Sequence, residues 1–84
     1  NELVVDNTIS FFPNPVSHGF FTVKATSAIS SIEIFNVIGI GILTQSGNKM
    51  NEVKIELPEI ESGIYFVKIF FENKMTHVVK LTVN

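Results

Sequence analysis

Gly63-Ile64-Tyr65-Phe66-Val67-Lys68-Ile69-Phe70-Phe71, then Glu72-Asn73-Lys74, then the run Met75–Val83, reads as a β-hairpin. The first run is dense in β-branched and aromatic residues, which suit a pleated, half-buried surface. Taken at a period of two, Tyr65, Val67, Ile69 and Phe71 fall on one face. Three polar residues supply the turn. A helix would need apolar residues at i, i+3, i+4 and i+7 for two turns, and no stretch of the chain has that spacing.

The same period recurs outward from the hairpin. Phe20–Thr26 sets Phe21, Val23 and Ala25 against Thr22, Lys24 and Thr26, and Ser31–Asn36 sets Ile32 and Ile34 against Glu33 and Phe35. Glu52–Leu57 points Val53, Ile55 and Leu57 one way and its charges the other. Thr8–Phe12 is a further strand, stopped by Pro13-Asn14-Pro15, because proline has no N–H to give a ladder. Gly39-Ile40-Gly41 turns the chain into Ile42–Gln45, and polar Ser46–Asn51, with Gly47-Asn48, reads as a loop. Pro58–Gly63 is a bend that tucks Ile60 into the core, and Leu3–Val5 is either an extra strand or linker. The total is about seven strands at the spacing of an all-β sandwich. With no helix to cover a parallel sheet, the strands pair antiparallel, and two stacked sheets follow. The expected fold is therefore an all-β, Ig-like antiparallel β-sandwich, with Phe21, Val23, Ile32, Ile34, Val53, Ile55, Tyr65, Val67 and Ile69 in its core.

Composition narrows the function. A chain of 84 residues is one domain. It has no Cys, so disulfides, thiolate metal sites and thiol nucleophiles are excluded. A net charge of −2 with scattered lysines offers no basic patch for nucleic acid. No apolar run approaches the roughly 20 residues of a membrane helix. There is no signal peptide, and the opening Asn1-Glu2-Leu3 reads as a piece of a longer protein, with 1–8 as linker and 9–84 as the domain. At 45% hydrophobic residues with eight Phe, some apolar surface is expected to stay exposed, and the edge of the final hairpin to allow weak self-association.

No catalytic set emerges. His18 and His77 lack a third ligand; Glu59 and Glu61, or Glu52 and Glu56, pair carboxylates only on a bend or an outer face; Asp6 is the only Asp. The chain is therefore expected to be no enzyme and to have no catalytic, cofactor or metal residues.

Four stretches occur in order: Phe12-Pro13-Asn14-Pro15-Val16; Ile32-Glu33-Ile34-Phe35-Asn36 with Gly39 and Ile42; Leu57, Ile60 and Gly63-Ile64-Tyr65-Phe66-Val67-Lys68-Ile69; and Lys80-Leu81-Thr82-Val83. Together they resemble the type A C-terminal sorting domain of type IX (Por) secretion, over about residues 11–84. The resemblance implies a non-enzymatic address label that ends a cargo protein. It implies as partners the type IX machinery, a sortase-like peptidase and an N-terminal cargo domain. It further implies passage through the periplasm, export across the outer membrane, cleavage in or before Asn1–Asn7 and exchange for a surface anchor. Lys80, Leu81, Thr82 and Val83 are the expected recognition segment, and trimming Thr82–Asn84 is expected to abolish export and spare the fold. Pro13, Asn14, Pro15, Gly39, Gly63 and Tyr65 are expected to be scaffold, with Tyr65 tying down its bend as a tyrosine corner does. Ile40 and Gly41 depart from the family's more polar loop and suggest an exposed apolar tip. The rival is an Ig-like or fibronectin-like accessory module, a spacer or carbohydrate binder. The absence of Trp and the single Tyr disfavour a sugar platform.

Overall fold

In the computed structural model of the protein, residues 9–84 are described; the proposed 1–8 linker, with the candidate strand Leu3–Val5, lies outside them. Five strands follow one another: β1 (Ile9–Phe12), β2 (Phe20–Asn36), β3 (Gly41–Glu56), β4 (Gly63–Phe71) and β5 (Thr76–Val83). All belong to one sheet, and every pairing between strands is antiparallel.

The long β2 is the spine. β3 lines one side of it for nearly its whole length. The other side is shared end to end, with β1 against Thr22–Ala25 and β4 against Ile29–Asn36. β5 then pairs outside β4, from Phe70↔Thr76 to Gly63↔Val83. A parallel bridge between Val16 and Val83 ties the loop after β1 to the far edge of β5. The sheet is thus curled into a half-barrel around its own apolar face.

The expected two-sheet sandwich of about seven strands is corrected here to one curled sheet of five. The expected strands Phe20–Thr26 and Ser31–Asn36 are two halves of β2, and Ile42–Gln45 and Glu52–Leu57 are two halves of β3. The polar Ser46–Asn51 is not a loop that leaves the sheet; it lies within β3. The physical reason is a bulge, in which extra residues enter the ladder without ending it. The register jumps from Lys24↔Glu52 to Ile29↔Met50 and again to Ser31↔Ser46. Asn48 and Lys49 take φ of 52° and 59° there. Across the bulge the inward phase of β2 also changes, from Phe21, Val23, Ala25 and Ile29 to Ile32 and Ile34.

The nine residues expected in the core are all buried. Val16, Ala25, Ile29, Phe71, Leu81 and Val83 join them, and Ile60 is half-buried against the cluster. No polar or charged residue is buried among the described residues. The core is a continuous apolar filling, and hydrophobic burial is what it contributes.

Gly47 marks where the ladder is tightest. A Cβ on it would stand 2.3 Å from the carbonyl oxygen of Ile29 and 2.5 Å from its side chain. Gly47→Ala is expected to destabilise the domain by about 2 kcal/mol or more, as overpacking against backbone does. Gly41→Ala, which meets nothing within 4 Å, should be near neutral. Ile34→Ala, at a fully buried site, should cost roughly 2–5 kcal/mol. Urea denaturation of the three variants checks the ordering; a Gly47→Ala domain as stable as Gly41→Ala would contradict the close approach.

Candidate recognition surface at the end of the final strand

Strand alternation sorts the expected recognition segment into two kinds of residue. Lys80 is exposed and Thr82 half-buried, whereas Leu81 is 0% and Val83 9% exposed, set in the core. Leu81 pairs with Tyr65 and Val83 with Gly63 on β4.

The other edge of this segment is held by the loop after β1. The Val16 N–H donates to the Thr82 carbonyl at 2.8 Å, and the Asn84 N–H donates to the Val16 carbonyl at 2.8 Å. The Thr82 N–H donates to Asn14 Oδ1 at 3.2 Å, and Asn84 Nδ2 donates to Ser17 Oγ at 3.4 Å. Val16 is itself 1% exposed, so the loop is pinned through its side chain as well. Pro13 and Pro15 flank Asn14 and are exposed, and both Phe12–Pro13 and Asn14–Pro15 are cis. The first and the fourth sequence stretches are therefore one structural unit.

The other two stretches come to the same end of the sheet. Tyr65 donates its hydroxyl to the Glu61 carbonyl at 2.7 Å, so the bend before β4 is tied down by the expected tyrosine corner. Gly63, with φ of 150°, and Gly39, with φ of 90°, hold backbone angles that other residues resist. The Gly39 turn is organised by Asn36, whose Oδ1 accepts from Ile38 N–H at 3.1 Å and Ile40 N–H at 2.9 Å. That turn displays Val37, Ile38 and Ile40, all more than half exposed, and so forms the apolar tip the sequence suggested. Val37 and Ile38 share a shallow cleft with Ser62, Gly63 and Ile64, which links the tip to the partner strand of Thr82 and Val83.

Sequence reasoning placed Val16 and Asn36 within its motifs but gave neither a role. An Asn three residues before a glycine is an Asx-turn signal that marks Asn36, whereas nothing local marks Val16, whose partner is Val83. The expectation that trimming the end of β5 spares the fold is also corrected. Removing Thr82–Asn84 takes Val83 from the core and frees both backbone groups of Val16. His18, His77, Glu52, Glu56, Glu59 and Glu61 are exposed, and no three His, Asp or Glu gather as a metal set among the described residues.

Against known proteins, residues 10–84 match the secretion system C-terminal sorting domain family. The chain belongs to that family. It is a type IX secretion sorting signal and not a catalytic domain, and the rival reading as an accessory module falls away. The family makes the type IX machinery its partner, and the cell surface or the outside of the cell its destination. An ulvan lyase, NLR42, of Nonlabens ulvanivorans is 23% identical over 77 residues; the match covers 92% of this chain and 14% of that protein. The chain thus spans about one-seventh of that relative. In fold it is similar to CopC from Methylosinus trichosporium OB3b, with a TM-score of 0.56 and 16% identity over 92% of this chain and 94% of that one.

The Tyr65 hydroxyl is a single neutral hydrogen bond to backbone at a buried ring. Tyr65→Phe should lower stability by about 1 kcal/mol and the melting temperature by roughly 4–8 °C. Calorimetry checks this; an unchanged melting temperature would show that the corner contributes nothing.

Proposed function

We propose that the type IX machinery engages this domain through Lys80, Leu81, Thr82 and Val83, with Lys80 and Thr82 presenting and Leu81 and Val83 anchoring. The observation that supports this most is the alternation itself. A buried pair fixes the position of an outward-facing pair, exposed Lys80 and half-buried Thr82, that carries one cation and one hydroxyl. Lysine is a compact cation with three donors, suited to an acidic receptor site. Pro13, Asn14, Pro15, Gly39, Gly63 and Tyr65 then serve as scaffold that shapes this end of the sheet.

The wider reading follows the family. A cargo domain N-terminal to this one reaches the periplasm, crosses the outer membrane under the direction of the sorting domain, and is cut free by a sortase-like peptidase in or just before Asn1–Asn7. The cargo then gains a surface anchor. The relative is named an ulvan lyase; a polysaccharide-degrading cargo is one such passenger. The edge of β3 that pairs with no other strand among the described residues, and the exposed Ile38, Ile40 and Val78, suit weak self-association.

The test fuses residues 1–84 to a periplasm-targeted reporter in a bacterium with a type IX system. The intact fusion should reach the medium, and a Lys80→Glu, Thr82→Glu double variant should be exported about tenfold less, a loss of roughly 1.4 kcal/mol of recognition. Its melting temperature should stay near that of the parent, because both side chains lie outside the core. Full export of the double variant, or retention of the intact fusion, would contradict the proposal. Mass spectrometry of the exported reporter should find no residues from Phe12 onward; their presence would contradict the cleavage step.

A further inference from the structure

We infer that the machinery reads the end of β5 in place, as one composite surface with the Pro13–Ser17 loop, and not as a tail released from the sheet. The inference rests on the proposed role of Lys80–Val83 and concerns the state in which those residues are read. Releasing them would expose Leu81, Val83 and Val16, which are 0%, 9% and 1% exposed. It would also break all four hydrogen bonds that join the segment to the loop. In a small domain that is a large share of the total stability. Docked, by contrast, the segment already offers what a receptor needs.

The surface so formed draws on two parts of the chain 68 residues apart, joined at Asn14 and Thr82. From β5 it takes the Lys80 ammonium and the Thr82 hydroxyl, and from the residue after the strand the Asn84 side chain. From the loop it takes the Pro15 ring, the Ser17 hydroxyl and the Asn14 amide, all on exposed residues. Among these six residues there is one side-chain cation and no acidic side chain. The partner that fits is a protein surface with an acidic group for Lys80, hydrogen-bonding groups for the amides and hydroxyls, and a flat apolar element for the proline ring. Reading both strands of a bridge also gives discrimination that a short tail cannot. An unfolded domain lacks the surface, so only folded sorting domains would be engaged.

The experiment locks the two parts together. Ser17 and Asn84 directly follow the bridged pair Val16 and Val83, and their side chains meet, so they are the positions at which a disulfide, whose Cβ atoms stand about 3.8 Å apart, would join the two parts. The chain has no cysteine of its own, so Ser17→Cys with Asn84→Cys forms a unique pair on a cysteine-free reporter. The oxidised double variant is expected to form the cross-link and to be exported as well as the same protein kept reduced. A cross-linked form held in the periplasm while the reduced form passes would overturn the inference. Should the cross-link fail to form, or the reduced pair also be held back, the single variants decide. Loss of export in Ser17→Cys, with an unchanged melting temperature, supports a composite surface. Loss in Asn84→Cys alone, with Ser17→Cys and Asn14→Ala silent, overturns it. Failure of the underlying reading looks different: Lys80→Glu, Thr82→Glu would be exported normally whatever the state of the cross-link.

Discussion

The backbone of Val16 accepts from Asn84 and donates to Thr82, and its side chain is sealed beneath them. This one parallel bridge closes the curl of the sheet. Without it, β5 would be an ordinary edge strand with Leu81 and Val83 held from one side only, and the end of a strand held so frays readily. With it, the end of β5 has β4 on one edge and the loop on the other. The two prolines around Asn14 carry no N–H, so the loop can offer Val16 to β5 without extending into a further strand. Asn14 then supplies from its side chain the acceptor that Thr82 lacks on the backbone.

The bridge needs the curl, and the curl needs the bulge in β2 and β3. Straight strands of 17 and 16 residues would make a long flat ribbon. The register jumps between Lys24 and Ser31 bend it, and Gly47 allows β3 to press onto the Ile29 carbonyl where the bend is tight. A bent ribbon brings the two halves of β2 into one core, in which Phe21 and Val23 lie in the same cluster as Ile32 and Ile34. Each half alone would bury too little for a domain of this size.

What could be read from the sequence was the part set by short-range periodicity. Tyr65, Val67 and Ile69, or Phe21 and Val23, declare their face through a period of two, and each of them is buried. The tyrosine corner was legible because its partner lies only four residues away. The strand count was not, because a polar run such as Ser46–Asn51 looks the same whether the chain leaves the sheet or bulges within it. The site was half legible. Motif order pointed to Lys80–Val83 and to Pro13-Asn14-Pro15, but no local pattern says that these two segments touch. Leu81 and Val83 alternate like receptor contacts and like core residues alike, and only the position of Val16 decides that they are core.

Seen this way, the domain is an address label whose readable face is built by its fold. The apolar tip at Val37, Ile38 and Ile40 and the corner at Tyr65 lie at the same end of the sheet, so this end carries most of what marks the family. Amide hydrogen exchange on the folded domain tests the central claim most directly. The bridge predicts that the Thr82 and Asn84 amides, which donate to Asn14 Oδ1 and to the Val16 carbonyl, exchange as slowly as amides of the β4–β5 ladder. Exchange of both at the rate of an open chain, with the β4–β5 ladder still protected, would contradict it.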